Sequence, residues 1–348
     1  MPGASSAPFV ERLGPGRSIG GRVSNRRGGT ARDMPVGFLI GLGGGLASAL
    51  LFYSAARGSP FLGTMLLLLT PLPSLLAGLG WGWLPAAAGA LAGTLVMAVA
   101  ASVPFAAGYF LALGLPVALI PYLAYLSRPQ PQDPTKREWY PAGRLLAAVS
   151  LYGGALPVLV LPLIGGSYDA LRTPMGEFFR HLSARAPELG LRSLGDKQIE
   201  ALAEFVVSAL PAALAAYWVA IFTLNLYLGG RIARASGRLG RDWPDLPVMA
   251  YPPGFPLLAA LAVAASFAPG TIGVAGTSFS GALLFAYLIA GLALMHCLAR
   301  GRGPWILWFV YAALLLFGPY TALALTVAGL LEPVLKLGRR FGASPPAT

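Results

Sequence analysis

The chain has 348 residues, of which 56% are hydrophobic and only 11% charged, with a mean hydropathy of +0.68. Soluble domains carry roughly 25% charged residues, so this composition excludes a soluble globular fold and makes lipid the solvent of the apolar surface. The net charge of +12 does not mark a nucleic-acid binder: the basic residues are spread through short segments beside apolar runs, where they set orientation and meet anionic headgroups.

Residues 1–34 are rich in Gly, Pro, Ser and Arg and read as a disordered basic cytoplasmic tail. The apolar run that follows has about twenty residues, longer than the roughly 7–15 of a secretory signal, so no cleaved signal is expected. A transit peptide, which is also Arg-rich and acid-poor, is the lesser reading. Spans are then predicted at Val36–Ala56, at Phe61–Leu79 with Pro71 and Pro73 breaking it, at Leu84–Val103 and at Ala106–Leu126. A polar loop, 127–144, leads to Leu145–Gly166, and the longest polar segment, 167–205, to Val206–Leu228. The basic loop 229–254 precedes Phe255–Ile272 and Thr277–Ala299. The last apolar stretch, Pro304–Leu331, is read as two short helices parting at Gly318-Pro319, which returns the C-terminus to the cytoplasmic side; the alternative is one helix of about 42 Å that crosses once and leaves Lys336, Arg339 and Arg340 outside. The expected fold is an all-α polytopic bundle over residues 35–340, of nine or ten helical segments, followed by a C-terminal tail at 341–348.

Orientation follows from the basic residues. With the N-terminus inside, nineteen of the 25 lysines and arginines fall on the cytoplasmic side, in the tail, loops 127–144 and 229–254, Arg300 and Arg302, and Lys336, Arg339 and Arg340. Segment 167–205 is then extracytoplasmic. Within it Phe178, Phe179 and Leu182 recur at helical spacing, which predicts a short amphipathic helix lying on the outer leaflet or capping the bundle, or an ordinary surface helix. Asp196 reads as the N-cap of a helix continuing into the sixth span, and Pro211 as its kink.

Few residues could carry chemistry. One cysteine, Cys297, excludes an internal disulfide, and two histidines, His181 and His296, leave little for a metal centre. Walker A, HExxH and G-x-S-x-G patterns are absent, so neither an enzyme nor a cofactor or metal site is expected. Gly41, Gly45 and Ala49 on the first span, and Gly89 and Gly93 on the third, form strips of small residues that either pack within the bundle or dock a partner's helix. Asn225, His296 and Glu332 each precede an inner-face basic residue by four to six positions. At 1.5 Å per residue they share one depth, about 6–9 Å inward. They form either a polar cluster or solute site, or three separate snorkelling and capping groups. Asp242-Trp243-Pro244-Asp245 reads as a structured interfacial loop, with Arg238 and Arg241 available to pair with its aspartates.

Pro71-Leu-Pro73 with Gly80-Trp-Gly82, Ser127-Arg128-Pro129, Asn225 through Gly230-Arg231 to Trp243-Pro244-Asp245, His296, Arg300-Gly-Arg302 and Gly329-Leu-Leu-Glu332 together resemble the YybS-like family of predicted bacterial membrane proteins, domain of unknown function 2232. That family is distantly similar to the substrate-binding components of energy-coupling-factor transporters and to a rod-shape scaffold protein. The resemblance implies a bacterial cytoplasmic-membrane protein. It also implies that Gly41, Gly45 and Ala49 correspond to the small residues through which those components dock their coupling subunit. The leading expectation is a small-solute-binding or permease-like component energised by a separate ATPase. The alternative is a non-transporting scaffold for envelope or division machinery. The expected partners are the bilayer and a membrane protein or coupling ATPase, with no nucleic acid.

Overall fold

The structure is a computed structural model that describes residues 33–164, 167–190, 192–300 and 302–337. Residues 1–32 and 338–348, which hold most of the tail expected at 1–34 and all of that expected at 341–348, lie outside the described residues.

The chain forms α1 (Asp33–Arg57), α2 (Pro60–Leu69), α3 (Leu72–Trp81), α4 (Trp83–Ala100), α5 (Val103–Tyr109), a π turn (Phe110–Gly114) and α6 (Leu115–Ala124). A two-stranded antiparallel hairpin, β1 (Ser127–Pro129) and β2 (Arg137–Trp139), pairs Arg128 with Glu138. Then come α7 (Ala142–Leu159), α8 (Arg172–Arg185), α9 (Asp196–Ala235), α10 (Phe255–Ala265), α11 (Gly270–Ala299), α12 (Trp305–Leu316) and α13 (Gly318–Leu335). Among the described residues, eight helices or near-continuous helix pairs are long and apolar enough to cross a membrane. The fold is therefore the all-α polytopic bundle that the composition requires. Its outward leucines, valines and phenylalanines are solvated by lipid, so helix association rests on close packing and polar staples rather than on hydrophobic burial.

Close packing is most evident between α1 and α4. A methyl group on Gly41 would lie 2.1 Å from the Pro85 carbonyl oxygen, and one on Gly45 would lie 1.9 Å from that of Gly89. Gly93 faces Gly45 in the same way, and Ala49 is wholly buried. The small-residue strips of the first and third spans thus face each other within the chain. Reading Gly41, Gly45, Ala49, Gly89 and Gly93 as an open docking face for a partner is corrected, because the backbone of α4 already occupies it.

Four further expectations change. Phe255–Ile272 is not one span. α10 ends at Ala265, and α11 starts at Gly270, just after Pro269. With 11 residues α10 is about 16 Å long, half of the roughly 30 Å core. The rest of that crossing is non-helical chain, since the basic loop turns inward at its end. Ala250 presses its carbonyl on Gly143 at the start of α7. Tyr251 donates its hydroxyl to the Ala286 carbonyl at 2.7 Å, and Phe255 is buried beside Tyr287. Pro252, Pro253 and Pro256 carry no N–H, which limits the orphan donors such a segment would bring into an apolar setting.

The final stretch does break where expected, at Phe317, but the chain does not return. Gly291 touches Leu325 and Gly329 touches Tyr287, so α13 runs antiparallel to α11. In that register Gly318 starts near Leu298 and Leu335 ends near Gly281. Both ends of α12 lie near the last turn of α11, with Trp305 donating to the Arg302 carbonyl and Tyr311 reaching His296. α12 lies obliquely across that end of the bundle and buries none of its residues. Leu335 is consequently at the end opposite Asp33, and the expectation of both termini on one side is corrected for the described residues.

Segment 167–205 does not lie flat. Arg172 meets Glu204 at 3.6 Å, and the Ser183 hydroxyl accepts the Leu194 N–H at 2.7 Å, so α8 runs antiparallel along the first turns of α9. α9 has 40 residues, about 60 Å, twice the bilayer core, and its surplus forms this projecting hairpin. The hairpin buries Gly176 and Ser183 of α8 against Ile199 and Ala203. The face expected to pack is turned away: Phe178 is 56% and Leu182 55% exposed. The N-cap of α9 is Gly195, one residue before the predicted Asp196, and its N–H is held by the Gln198 side chain at 3.0 Å.

Candidate functional site

The three residues placed at one depth do not form one site. Asn225 is wholly buried on α9 and donates to the carbonyls of Leu68 (2.7 Å) and Ile221 (2.8 Å). Leu68 sits at the break between α2 and α3, so Asn225 staples α9 to a helix end created by Thr70-Pro71. Its Oδ1 has no hydrogen-bond partner among the described residues. His296 bonds through Nδ1 to the Leu292 carbonyl and faces Tyr311 through Nε2 at 3.4 Å. Glu332, on α13, lies beside residue 284 of α11 in the register set by Gly291 and Gly329. It is therefore about 18 Å from the level of His296. Asn225 and His296 keep similar depth, because Ala212 of α9 and Gly281 of α11 touch and the two helices run parallel, but their partners differ. Replacing Asn225 by Leu leaves the Leu68 carbonyl unpaired and is expected to cost about 2 kcal/mol in denaturant titrations. A change below about 0.5 kcal/mol would remove the staple.

A centre not singled out from the sequence lies in the fourth span. Pro116 has no N–H to offer Ala112, and the π turn shifts the Leu115 N–H to Phe110, so the carbonyls of Leu111 and Ala112 lose their helical donors. Two side chains replace them. Tyr152 of α7 donates to Leu111 at 2.6 Å, and Trp218 Nε1 of α9 donates to Ala112 at 2.7 Å. Their rings lie 5.2 Å apart, and Trp218 stacks on Phe222 at 4.1 Å. The cavity beside them, about 10 Å³ between Ile120, Val149 and Trp218, holds at most one water. This centre binds three spans together and has no room for a solute. The signal in the sequence was the mid-span proline, which obliges some donor elsewhere.

At the end of the bundle that carries Asp33, the loop after α9 is tied down by polar contacts. The Arg241 guanidinium donates to the carbonyls of Ala124 (2.8 Å) and Tyr140 (3.1 Å) rather than pairing with an aspartate side chain. Trp139 Nε1 donates to Asp242 at 3.3 Å, and Tyr125 donates to the Leu79 carbonyl while accepting the Gly240 N–H. Trp243 packs on Tyr227 and against Gly230. Asp245 takes a two-pronged contact from Arg300, 3.0 Å for one prong, and Arg238 lies over the Trp81 ring. The hydrogen bond from Arg300 holds the Asp245 carboxyl below the usual carboxylate range, against a smaller opposing effect of burial. A lowered folded-state pKa means that the stabilisation is present above the ordinary value of about 3.9 and is lost as pH falls through the folded value. Asp245→Asn is expected to flatten the acid limb of a Tm-against-pH profile. With the pair partly exposed, 28% and 38%, the loss at neutral pH should stay under about 1 kcal/mol. An unchanged acid limb would show that this pair does not set it.

An open groove lies on the projecting hairpin. About 310 Å³ lies between α8 and α9, lined by Arg172, Thr173, Gly176 and Arg180 on one side and Glu200 and Glu204 on the other. Arg172 is committed to Asp169 (3.0 Å) and Glu204 (3.6 Å). Arg180 and Glu200 make no hydrogen bond or ion pair with any described residue. Counting about twenty residues of α9 back from Arg231 for a 30 Å core reaches Pro211, so Glu204 lies about 10 Å further out. Among the described residues no three His, Cys, Asp or Glu side chains group as metal ligands do.

The family model for a predicted membrane protein (DUF2232) matches residues 46–332. The chain belongs to that family. The match runs from the middle of α1 to Glu332 on α13, so the region shared with DUF2232 takes in the Tyr152–Trp218 centre, Asn225, the tied basic loop and the hairpin groove. Neither the curated proteins nor the solved structures give a match. For a DUF2232 member the bilayer is the partner that the family and the apolar helices support directly.

Proposed function

We propose that this chain is a non-enzymatic, solute-binding component of a bacterial cytoplasmic membrane, with the Asp33 end of the bundle in the cytoplasm. In this reading the α8–α9 groove captures the solute outside the bilayer. The observation that carries the proposal is the groove itself. It is an open groove of about 310 Å³ that presents charge of both signs, and Arg180 and Glu200 pair with no described residue. The half-length α10 and the π turn of the fourth span support the same reading, since interrupted helices recur in membrane transporters. The energising partner would be a separate ATPase docked on the basic face, where Arg231 and Arg234 are exposed in the last turns of α9.

The test is gentle purification in lipid nanodiscs from the native membrane, with mass spectrometry of bound small molecules and of copurifying proteins. The expected result is a solute released on denaturation. Absence of any bound solute, together with no thermal shift in fractionated cell extract, would end the proposal. A second reading, a scaffold for envelope machinery, draws on the exposed Phe178 and Leu182 of α8. It is distinguished by recovery of envelope proteins without a solute.

A further inference from the structure

We infer that α12 is the docking element for a cytoplasmic partner protein, which takes the helix into an apolar groove bordered by acidic side chains. This rests on the partner half of the reading above and names the seat.

A helix lying along the membrane surface meets two solvents. One flank faces lipid or protein and the other faces headgroups and water, so such helices carry a polar face. α12 has none. From Trp305 to Leu316 it holds no charged or amide side chain, and Tyr311 is its one hydroxyl. Its 12 residues make about 18 Å, too short to cross a roughly 30 Å core. Trp305 bonds to the Arg302 carbonyl and Tyr311 to His296, both in or just after the last turn of α11, so α12 runs along the end of the bundle. The bundle buries none of its residues. A helix that is apolar all round needs cover all round. Lipid covers one flank, and the flank turned to the cytoplasm is left to a protein.

The exposed face sets the kind of partner. Trp305, Trp308, Phe309 and Phe317 are between 62% and 76% exposed, and Leu315 is 86% exposed. At about 150–250 Å² per aromatic side chain, the four rings alone offer on the order of 500 Å². That approaches the roughly 800 Å² per side of a standard interface and exceeds a scattered surface residue or two. The Trp308 indole N–H pairs with no described residue and is open to an acceptor. An apolar helix of this length suits a groove that receives it by one face. Arg302, and Arg231 and Arg234 of α9, are exposed at the same end of the bundle, so the border of the groove is acidic. A second copy in the same bilayer approaches from the side, where lipid already serves, and leaves the cytoplasmic flank bare.

The test begins with the full chain alone in nanodiscs, in a Cys297→Ser background. A spin label is placed in turn at each position from Trp305 to Leu316. Labels along one flank should be relaxed by a water-soluble nickel complex. Relaxation by oxygen alone at every position would show that lipid covers the helix and would overturn the inference. A photo-crosslinking residue is then set at the most water-accessible position and activated in native membranes. A protein adduct is expected, reduced at least tenfold by combining Arg231→Glu with Arg234→Glu. That double variant should keep the wild-type Tm, because both side chains are exposed. Adducts to lipid or to a second copy alone, or a yield indifferent to the charge reversal, would also overturn the inference. If the captured protein hydrolyses no ATP, the docking stands and the ATPase part of the reading above falls. If lipid covers α12 while a solute is recovered from native membranes, the docking falls and the solute-binding reading stands.

Discussion

Gly45→Ala is expected to destabilise the bundle by about 3 kcal/mol, at the upper end for overpacking, while Gly43→Ala two residues earlier changes stability by less than about 1 kcal/mol. The two positions share a helix and differ in what they face. A methyl at Gly45 meets the Gly89 carbonyl at 1.9 Å, a backbone atom that cannot rotate away, whereas a methyl at Gly43 meets nothing within 4 Å. To admit Gly45→Ala, α1 and α4 must part, and the contacts of Gly41 with Pro85 and of Gly93 with Gly45 are lost with them. Denaturant titration in micelles, followed through the seven tryptophans, measures both variants. Equal stability of the two would refute the close α1–α4 contact.

Trp218→Ala is expected to cost about 3–5 kcal/mol, and Trp218→Phe about 1–3 kcal/mol. The milder change keeps an aromatic ring beside Phe222 but removes the Nε1 donor, which leaves the Ala112 carbonyl orphaned in a lipid-solvated bundle. Pro116 is the reason the carbonyl needs that donor, so the proline supplies its own control. Pro116→Ala restores a backbone N–H one turn after Ala112 and is expected to recover part of the Trp218→Phe loss while giving little in the wild-type background. Tyr152→Phe should cost about 1–2 kcal/mol through the neighbouring Leu111 carbonyl. If Pro116→Ala gives no recovery, the orphan carbonyl is not what Trp218 relieves.

Much of the bundle is legible from hydropathy and charge because lipid imposes a length on every crossing. α1, α4, α7 and the long run of α9 follow their apolar segments to within a turn or two. Hydropathy fails where a segment is apolar without crossing. α12 is as greasy as any span yet lies across one end, and only the pairing of Gly291 with Leu325 and of Gly329 with Tyr287 reveals it. The same pairing undoes the shared depth given to Glu332. Distance along a helix measures depth only when the helix points the expected way, which held for Asn225 and His296 and not for α13. Hydropathy does not show where the α10 crossing begins, because Tyr251, Pro252 and Pro253 enter the bundle without helical periodicity. The glycine strips carried a correct message about close approach but not the identity of the partner, which is a matter of tertiary arrangement. The hairpin groove could not be read at all: Arg180 and Glu200 are ordinary surface residues until α8 folds back along α9.

α9 contains a single proline, Pro211, and the residue after it, Ala212, is wedged against Gly281 with no room for a methyl between them. The missing hydrogen bond makes this the softest point of the rod, and the wedge keeps it from sliding. The hairpin above therefore has a fulcrum at the membrane surface. The lower arm is clamped to its neighbours through Trp218 and Asn225, so bending of α9 is confined to the arm above Pro211.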